Sequence, residues 1–186
     1  MIFDVKVDIR IKSCLFIGVY VVDSTRHKVY DIAIKLVSSR IIFKTSSENR
    51  LRVVTVDIGH LYLNADTNKN IYTRAGPGFE LVGIMADGTF LEVIKALYNL
   101  PKSGNRCHAN LLHALREIGL NPTCFDPNVC IKGCTGGYEH IGTHTDDVLI
   151  IAKEPTSILD KLKNIYKIKV FGAPKVHIGC NHIKFK

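Results

Sequence analysis

Residues 138 to 152 read YEHIGTHTDDVLIIA, and they are the most informative stretch for the fold. Two runs of strand-forming residues, 138–143 and 148–152, enclose four residues that we interpret as a hairpin turn. Adjacent carboxylates repel each other, and a bound divalent cation removes that conflict because hard cations prefer carboxylate oxygens. The stretch therefore predicts a hairpin with Asp146 and Asp147 at its tip as candidate metal ligands. The alternative is an ordinary solvated turn.

A third carboxylate follows another apolar run. Residues 51–56 predict a short buried strand that stops at Asp57. If this strand lies beside the hairpin, three carboxylates converge at one edge of a sheet, and such a cluster can hold two Mg²⁺ ions about 3.5–4 Å apart. The alternative for Asp57 is a cap that ends its strand.

Hairpins alternate with separate helices along the rest of the chain, so we predict an α+β fold. We expect strands over residues 2–11, 14–22, 90–94 and 127–131, and a further strand pair that begins within 176–186. We expect helices over residues 29–43, from Ser103 to a C-cap at Gly119, and after Pro155 with Thr156 or Ser157 as its cap.

Bulk composition narrows the class of protein. The chain has 186 residues, 46% of them hydrophobic, which favours one folded domain over a disordered chain. No run reaches the roughly 18 apolar residues of a membrane span, and no secretory signal is evident, so we expect an intracellular protein with no membrane partner. The net charge of +8 suits a polyanion such as nucleic acid, with a lysine-rich solvated face as the alternative.

The six cysteines are scattered, and no pair has the close spacing of a zinc site. We interpret them as small core residues. A structural metal site at Cys124, Cys130 and Cys134 is the alternative.

Four short motifs carry a family resemblance. In chain order they resemble segments of copia-type retrotransposon reverse transcriptases: Val56-Asp57-Ile58-Gly59 with Leu61-Tyr62-Leu63-Asn64, Lys95-Ala96-Leu97-Tyr98-Asn99-Leu100, Ser103-Gly104-Asn105-Arg106-Cys107-His108, and His144-Thr145-Asp146-Asp147. Residues 2–6 and 178–180 also fit the family, so the resemblance covers nearly the whole chain.

The resemblance implies a reverse transcriptase domain fragment that catalyses RNA- or DNA-templated DNA synthesis. It implies a polymerase palm over about residues 51–186, an antiparallel sheet with packed helices, and part of the fingers over about 1–50. Asp57, Asp146 and Asp147 match the catalytic metal ligands, for two Mg²⁺ or Mn²⁺ ions. Implied partners are a primed template, deoxynucleoside triphosphates and the remaining transposon polyprotein. The implied location is the cytoplasm or a virus-like particle, with the nucleus as an alternative.

Four further residues match positions of the family that contact the nucleotide. The backbone carbonyl of Ile58 matches an additional metal ligand. Tyr62 matches an aromatic ring that lies under the sugar and excludes a 2′-hydroxyl, with a core tyrosine as the alternative. Lys102 matches a segment beside the nucleotide and template, and Lys12 matches a fingers strand near the triphosphate. A helix N-terminus and a solvated strand lysine are their respective alternatives.

Several residues depart from the family pattern. His144 and Thr145 replace the Tyr and Val of its YVDD box, and Asn99 replaces a Gly. The remaining departures are Pro101 and Cys14 in place of basic residues and Cys107 in place of a Trp. Two hypotheses therefore stay open: an active polymerase domain, and a catalytically inactive transposon remnant that is at most a basic nucleic-acid-binding module.

Overall fold

The structure is a computed structural model that describes residues 2–5, 11–14, 33–67, 71–76, 83, 86, 88–97, 100, 103–173, 176–177 and 180–181. Its α-helices are α1 (Leu36–Glu48), α2 (Ser103–Glu117) and α3 (Pro155–Lys163). Its strands are β1 (Ile2–Val5), β2 (Ile11–Cys14), β3 (Arg52–Ile58), β4 (Tyr72–Arg74), β5 (Phe90–Glu92), β6 (Asn121–Pro122), β7 (Val129–Cys134), β8 (Gly137–His144), β9 (Asp147–Ala152), β10 (Ile168–Gly172), β11 (Val176–His177) and β12 (Cys180–Asn181).

The chain divides into two compact units. The first takes in Met1–Tyr30 and Tyr62–Cys107, and in it β1 pairs with β2 and β4 pairs with β5, both antiparallel. The second takes in Asp31–Leu61 and His108–Lys186. It contains a six-stranded antiparallel sheet in the order β10-β3-β9-β8-β7-β6, so the chain has the mixed α and β structure that the sequence predicted.

Strand β9 is the centre of the second unit, because residues 148–152 are fully buried. Successive side chains of a strand point to opposite faces. Leu149 and Ile151 pack with Ile34 and Ile42 on the side of α1. Helix α3 contacts β9 and β3, and its Ile158, Leu159 and Leu162 are buried. A strand covered on both faces has an unbroken apolar run, which is why the sequence VLIIA of residues 148–152 indicates a buried strand so strongly.

The predicted boundaries needed several corrections. The expected single strand over residues 2–11 is wrong, since β1 ends at Val5 and Ile11 begins the strand that pairs back onto it. The helix predicted over 29–43 begins at Leu36 and runs to Glu48, because Ala33 and Ile34 pair with β8 instead. Its polar end, residues 45–48, is also helical, and the Thr45 and Ser46 hydroxyl groups donate to the Ile41 and Phe43 carbonyls.

Other elements followed the predicted pattern more closely. Helix α2 begins at Ser103, and Gly119 after it has the positive φ of 88° that a glycine C-cap permits. Helix α3 begins at Pro155 without a side-chain cap, so the expectation of a Thr156 or Ser157 cap was wrong. Cys107 and Cys130 are buried as predicted, whereas Cys124 and Cys134 are exposed.

A buried carboxylate ties α1 to the sheet. Asp126 is 1% exposed and accepts hydrogen bonds from the backbone N–H groups of Lys35 (2.9 Å), which directly precedes α1, and Asn128 (3.0 Å). Burial acts to raise the pKa of Asp126, but hydrogen bonds from the Ser38 side chain and from these two N–H groups outweigh it, so the pKa is lowered. A negative charge at a helix N-terminus is also favourable.

We predict that Asp126→Asn lowers the free energy of unfolding by about 1–3 kcal/mol at neutral pH, because the network loses its negative charge and one of its two acceptor oxygens. A carboxyl whose folded pKa is depressed stabilises the protein above its unfolded pKa of about 3.9 and loses that effect as pH falls through the folded value. Urea unfolding of both proteins from pH 7 to pH 3 should show a shrinking difference. Asp160→Asn, at an exposed pair with Lys163, is the control. A difference independent of pH would contradict this assignment.

Candidate active site

The pairing of β3 with β9 places two carboxylates side by side. Asp57 is directly opposite Asp147 in the antiparallel register, at the ends of their strands. Directly opposite residues share a face of the sheet, with Cβ atoms about 4.5–5.5 Å apart. On the other side of β9, His144 of β8 is the partner of Asp147. Two acidic side chains and a histidine therefore lie side by side at the ends of three neighbouring strands, and we call this end of the sheet its acidic edge.

The hairpin turn that follows β8 consists of Thr145 and Asp146 only, since Asp147 already belongs to β9. Thr145 has φ of 54°, a left-handed conformation that β-branched residues rarely adopt. Such a residue costs of order 1–3 kcal/mol and persists only where its surroundings enforce it. The Ile58 N–H donates to the Asp146 carbonyl at 2.9 Å, which fastens the turn to β3.

The side chain of Asp146 is held within the turn. The Thr145 hydroxyl lies 2.7 Å from the His144 carbonyl oxygen and 3.0 Å from Asp146 Oδ1, so one proton is shared between two acceptors. In the part of the chain that the structure describes, no group of three or more ligating side chains is arranged to hold a metal ion. The predicted three-carboxylate centre thus stays a prediction, of which the observed register brings two members together.

Asp57 lacks the hydrogen bonds that usually accompany a buried carboxylate oxygen. Its Oδ1 is inaccessible to solvent and accepts no hydrogen bond from the described residues. The nearest cation among them is the Lys169 ammonium, 3.9 Å from that oxygen. Lys169 lies in an irregularity of β10 and runs alongside Gly59, where a Cβ would come within 3.1 Å of its side chain. Gly59 therefore lets the lysine approach Asp57.

The electrostatics of the edge favour a cation. Partial burial raises the pKa of Asp147, and the negative charges of Asp146 and Asp57 raise it further, against a smaller lowering effect of His144. An under-bonded buried oxygen and mutually repelling carboxylates form an all-oxygen donor set of the kind that hard divalent cations prefer. The oxygen donors therefore suit a hard divalent cation in chemistry, although the Asp146 side chain is engaged by Thr145 and the described residues form no group of three or more ligands.

The other predicted site residues are placed as follows. Ile58 ends β3 and is fully buried. Tyr62 lies half-buried in a 3₁₀ helix, Leu61–Asn64, where its carbonyl accepts a hydrogen bond from the Ala65 N–H at 3.1 Å. Lys12 is described only as part of the backbone of β2, and Lys102 lies outside the described residues.

Among the departures from the family pattern, Cys107 is described with its side chain and is 1% exposed in α2. Asn99 and Pro101 fall outside the described residues, and Cys14 is described only in the backbone of β2.

Sequence reasoning missed Lys169. Strand β10 has Ile168 and Val170 on either side of Lys169, and this alternation is only five residues long and follows closely after a helix. The available signal was a period-two pattern with lysines at 167 and 169. Alternating lysines indicate an edge strand, but they do not predict which acidic residue a lysine of that strand will contact.

We predict that the pKa of Asp147 in the metal-free protein exceeds about 3.9, the value of a free aspartate, and that Asp57→Asn lowers it because one repelling charge is removed. Carboxyl ¹³C shifts followed by NMR during a pH titration measure both values. A raised folded pKa means that stability falls as pH rises from the unfolded to the folded pKa, so Asp147→Asn should stabilise the metal-free protein at neutral pH. Asp160→Asn is the control, and an Asp147 pKa that is unchanged by Asp57→Asn would contradict the proximity.

Comparison with known proteins gives one family. None of the described helices has the length and hydropathy of a membrane crossing. No curated protein and no solved structure gives a significant match. A family model described as reverse transcriptase (RNA-dependent DNA polymerase) matches residues 3–185, almost the whole chain. The chain therefore belongs to the reverse transcriptase family.

Proposed function

We propose that this chain is the polymerase domain of a copia-type retrotransposon, which adds deoxynucleotides to a primer 3′-hydroxyl on an RNA template with two divalent metal ions. The observation that carries the proposal is the cross-strand pair Asp57 and Asp147, with Asp146 in the adjoining turn. The copia-type assignment rests on the order of the four motifs. Nucleic acid, deoxynucleoside triphosphates and the remaining polyprotein are the proposed partners.

We assign the palm to about residues 51–186 and a partial fingers region to about 1–50. The six-stranded antiparallel sheet with the acidic edge supports the palm assignment. Helix α1, at the end of the proposed fingers region, packs on this sheet through Ile42.

The proposed metal ligands are the carboxylates of Asp57, Asp146 and Asp147 and the carbonyl oxygen of Ile58. When bound, such ions lower the pKa of the attacking hydroxyl and offset charge on the phosphate. The protein contributes a rigid frame, because β9 is buried on both faces and the turn is fastened to β3 by the Ile58 N–H. Positional accuracy of this kind is a large part of enzymatic rate enhancement.

Roles for three more residues belong to the same proposal. Tyr62 would exclude ribonucleotides by contact with the sugar, while Lys102 and Lys12 would bind near the nucleotide phosphates. The family resemblance supports these roles, and the charges suit a triphosphate.

The second candidate is an inactive remnant that still binds nucleic acid. The observation in its favour is the state of the turn, in which the Thr145 hydroxyl binds the side chain of Asp146. Lys169 beside Asp57 would also oppose a cation at that carboxylate. In this candidate the chain keeps its basic charge and binds nucleic acid, but it does not catalyse DNA synthesis.

We expect Mg²⁺-dependent extension of a DNA primer on an RNA template by the purified chain. Asp57→Asn, Asp146→Asn and Asp147→Asn should each reduce the rate at least about 100-fold, since about 3 kcal/mol of charge stabilisation is lost. Asp160→Asn should extend normally. If wild-type chain does not extend the primer, even with further transposon segments added, while it binds RNA with steep salt dependence, the remnant is the correct description.

The turn yields a second expectation. Thr145→Val keeps the branched shape but removes the hydroxyl that holds Asp146, so the affinity for Mn²⁺ should rise by up to about 5-fold, the equivalent of one hydrogen bond of about 1 kcal/mol. Mn²⁺ titration followed by electron paramagnetic resonance measures the affinity. Thr45→Val, in α1, is the matched control. Unchanged or weaker binding by Thr145→Val would show that the hydroxyl does not restrain the ligand.

A further inference from the structure

A rigid shelf adjoins the acidic edge of the sheet. It comprises residues 123–128 and 33–35 of the second unit. The Asn128 carbonyl accepts the Thr143 N–H at 2.8 Å, and the Thr143 carbonyl accepts the Ile34 N–H at 2.9 Å. The Asn128 amide donates to the Ala33 carbonyl at 3.1 Å. These bonds fix the shelf against the end of β8, next to the hairpin that carries Asp146.

Phe125 projects from this shelf into solvent. Its side chain is 92% exposed, more than any other large hydrophobic residue described. The backbone around it is tied down, because the Thr123 hydroxyl donates to the Asp126 carbonyl at 2.8 Å and the Lys35 ammonium donates to the Phe125 carbonyl at 3.0 Å. Single exposed apolar residues are common, but a ring on a fixed turn offers a preformed flat surface.

A cation accompanies the ring. The Lys35 ammonium has three N–H donors, and its one hydrogen bond to the Phe125 carbonyl leaves two for an anion. Arg40, in the second turn of α1, is also exposed. The nearby carboxylate of Asp126 is buried and accepts hydrogen bonds from backbone N–H groups, and its charge interacts with the Lys35 ammonium without occupying the surface beside the ring.

Phe125 and Lys35 lie at the same end of the sheet as the carboxylates. Strands β7, β8 and β9 are neighbours, and Phe125 lies just before β7 at the edge where β9 begins with Asp147. Two strand spacings of about 4.8 Å separate β7 from β9, so the start of β7 lies roughly 10 Å from Asp147, and Phe125 lies farther out in the loop before β7. Stacked bases advance about 3.4 Å each, so the ring is three or more nucleotides away from the carboxylates.

We propose that Phe125 and Lys35 form a subsite for one nucleotide of a single-stranded nucleic acid segment, three or more steps from the reacting end. The ring stacks on the base and the ammonium contacts the phosphate. Aromatic rings beside cations bind bases without sequence preference, which suits an unpaired template segment of any sequence. The subsite rests on the proposed function in that both require a nucleic acid substrate at this edge.

A protein partner fits less well. The exposed side chains Leu36, Val37 and Ile41 of α1 are apolar, but Lys35 and Arg40 are exposed beside them in the chain, and the net charge is +8. A ring with adjacent cations favours a polyanion with stacking bases over an apolar protein surface.

The absence of tryptophan from the sequence allows a direct test. Phe125→Trp introduces a single indole at the subsite. Addition of an oligouridylate of about 16 nucleotides, a full site for single-strand binders, should quench its fluorescence through base stacking. Tyr138→Trp, at a residue 59% exposed in the opposite end of β8, is the matched control and should not be quenched.

Affinity measurements by fluorescence anisotropy complete the test. Phe125→Ala should weaken oligouridylate binding by about 5- to 150-fold, the equivalent of one stacked base, whereas Tyr138→Ala should not. Lys35→Gln should lower the slope of log affinity against log salt by about 0.7, for one lost phosphate contact. Since the Phe125 and Tyr138 side chains are exposed, Phe125→Ala and Tyr138→Ala should leave the free energy of unfolding in urea unchanged.

Three results would overturn the subsite: no strand binding by wild-type chain, no quenching of the indole in the Phe125→Trp variant, or equal affinity of Phe125→Ala and wild type. Reduced self-association of Phe125→Ala in sedimentation, with strand binding intact, would instead assign the ring to a contact between copies. Primer extension separates this inference from the proposed function. Weakened binding by Phe125→Ala without extension by wild type supports the subsite alone, and extension with unaffected binding supports the polymerase alone.

Discussion

The backbone pairing of β3 with β9 is the constraint on which the candidate site depends. It sets Asp57 opposite Asp147, two residues that lie far apart in the chain. A slip of one residue would turn one of these carboxylates to the other face. The register is held by the ladder of residue pairs from Arg52 with Ala152 to Asp57 with Asp147, and by the hydrogen bond from the Ile58 N–H to the Asp146 carbonyl. Backbone pairing in the buried sheet thus determines the position of the charges.

The same pairing creates an electrostatic cost. Partial burial and the two neighbouring carboxylates raise the pKa of Asp147, and Asp57 retains a buried oxygen without a hydrogen bond from the described residues. The left-handed backbone of Thr145 adds strain at the same edge. Unfavourable features that are concentrated at one edge of an otherwise well-packed sheet are typical of a functional site. A cation at this edge would relieve the repulsion, and Lys169 does so only in part, at 3.9 Å.

The sequence predicted some secondary-structure elements better than others. Long apolar runs and helix stops gave reliable elements, as with β9 and the end of α2 near Gly119. Short or polar segments were misjudged. Residues 45–48 are helical despite their polar side chains, and the period-two pattern of β10 is easily overlooked because it covers only five residues. Local pattern is weak for such elements, because their stability depends on contacts with the rest of the chain.

Linear pattern alone sufficed for the family, the hairpin around Asp146 and Asp147, and the α+β class, because motif order and hydrophobic period are properties of the chain before it folds. The folded chain was needed to show which carboxylates become neighbours, that Thr145 binds Asp146, and that Lys169 reaches Asp57. It was also needed to show that Phe125 stands beside Lys35 at the acidic edge. These contacts join residues through strand register and buried hydrogen bonds, and register is fixed by the packing of the whole sheet.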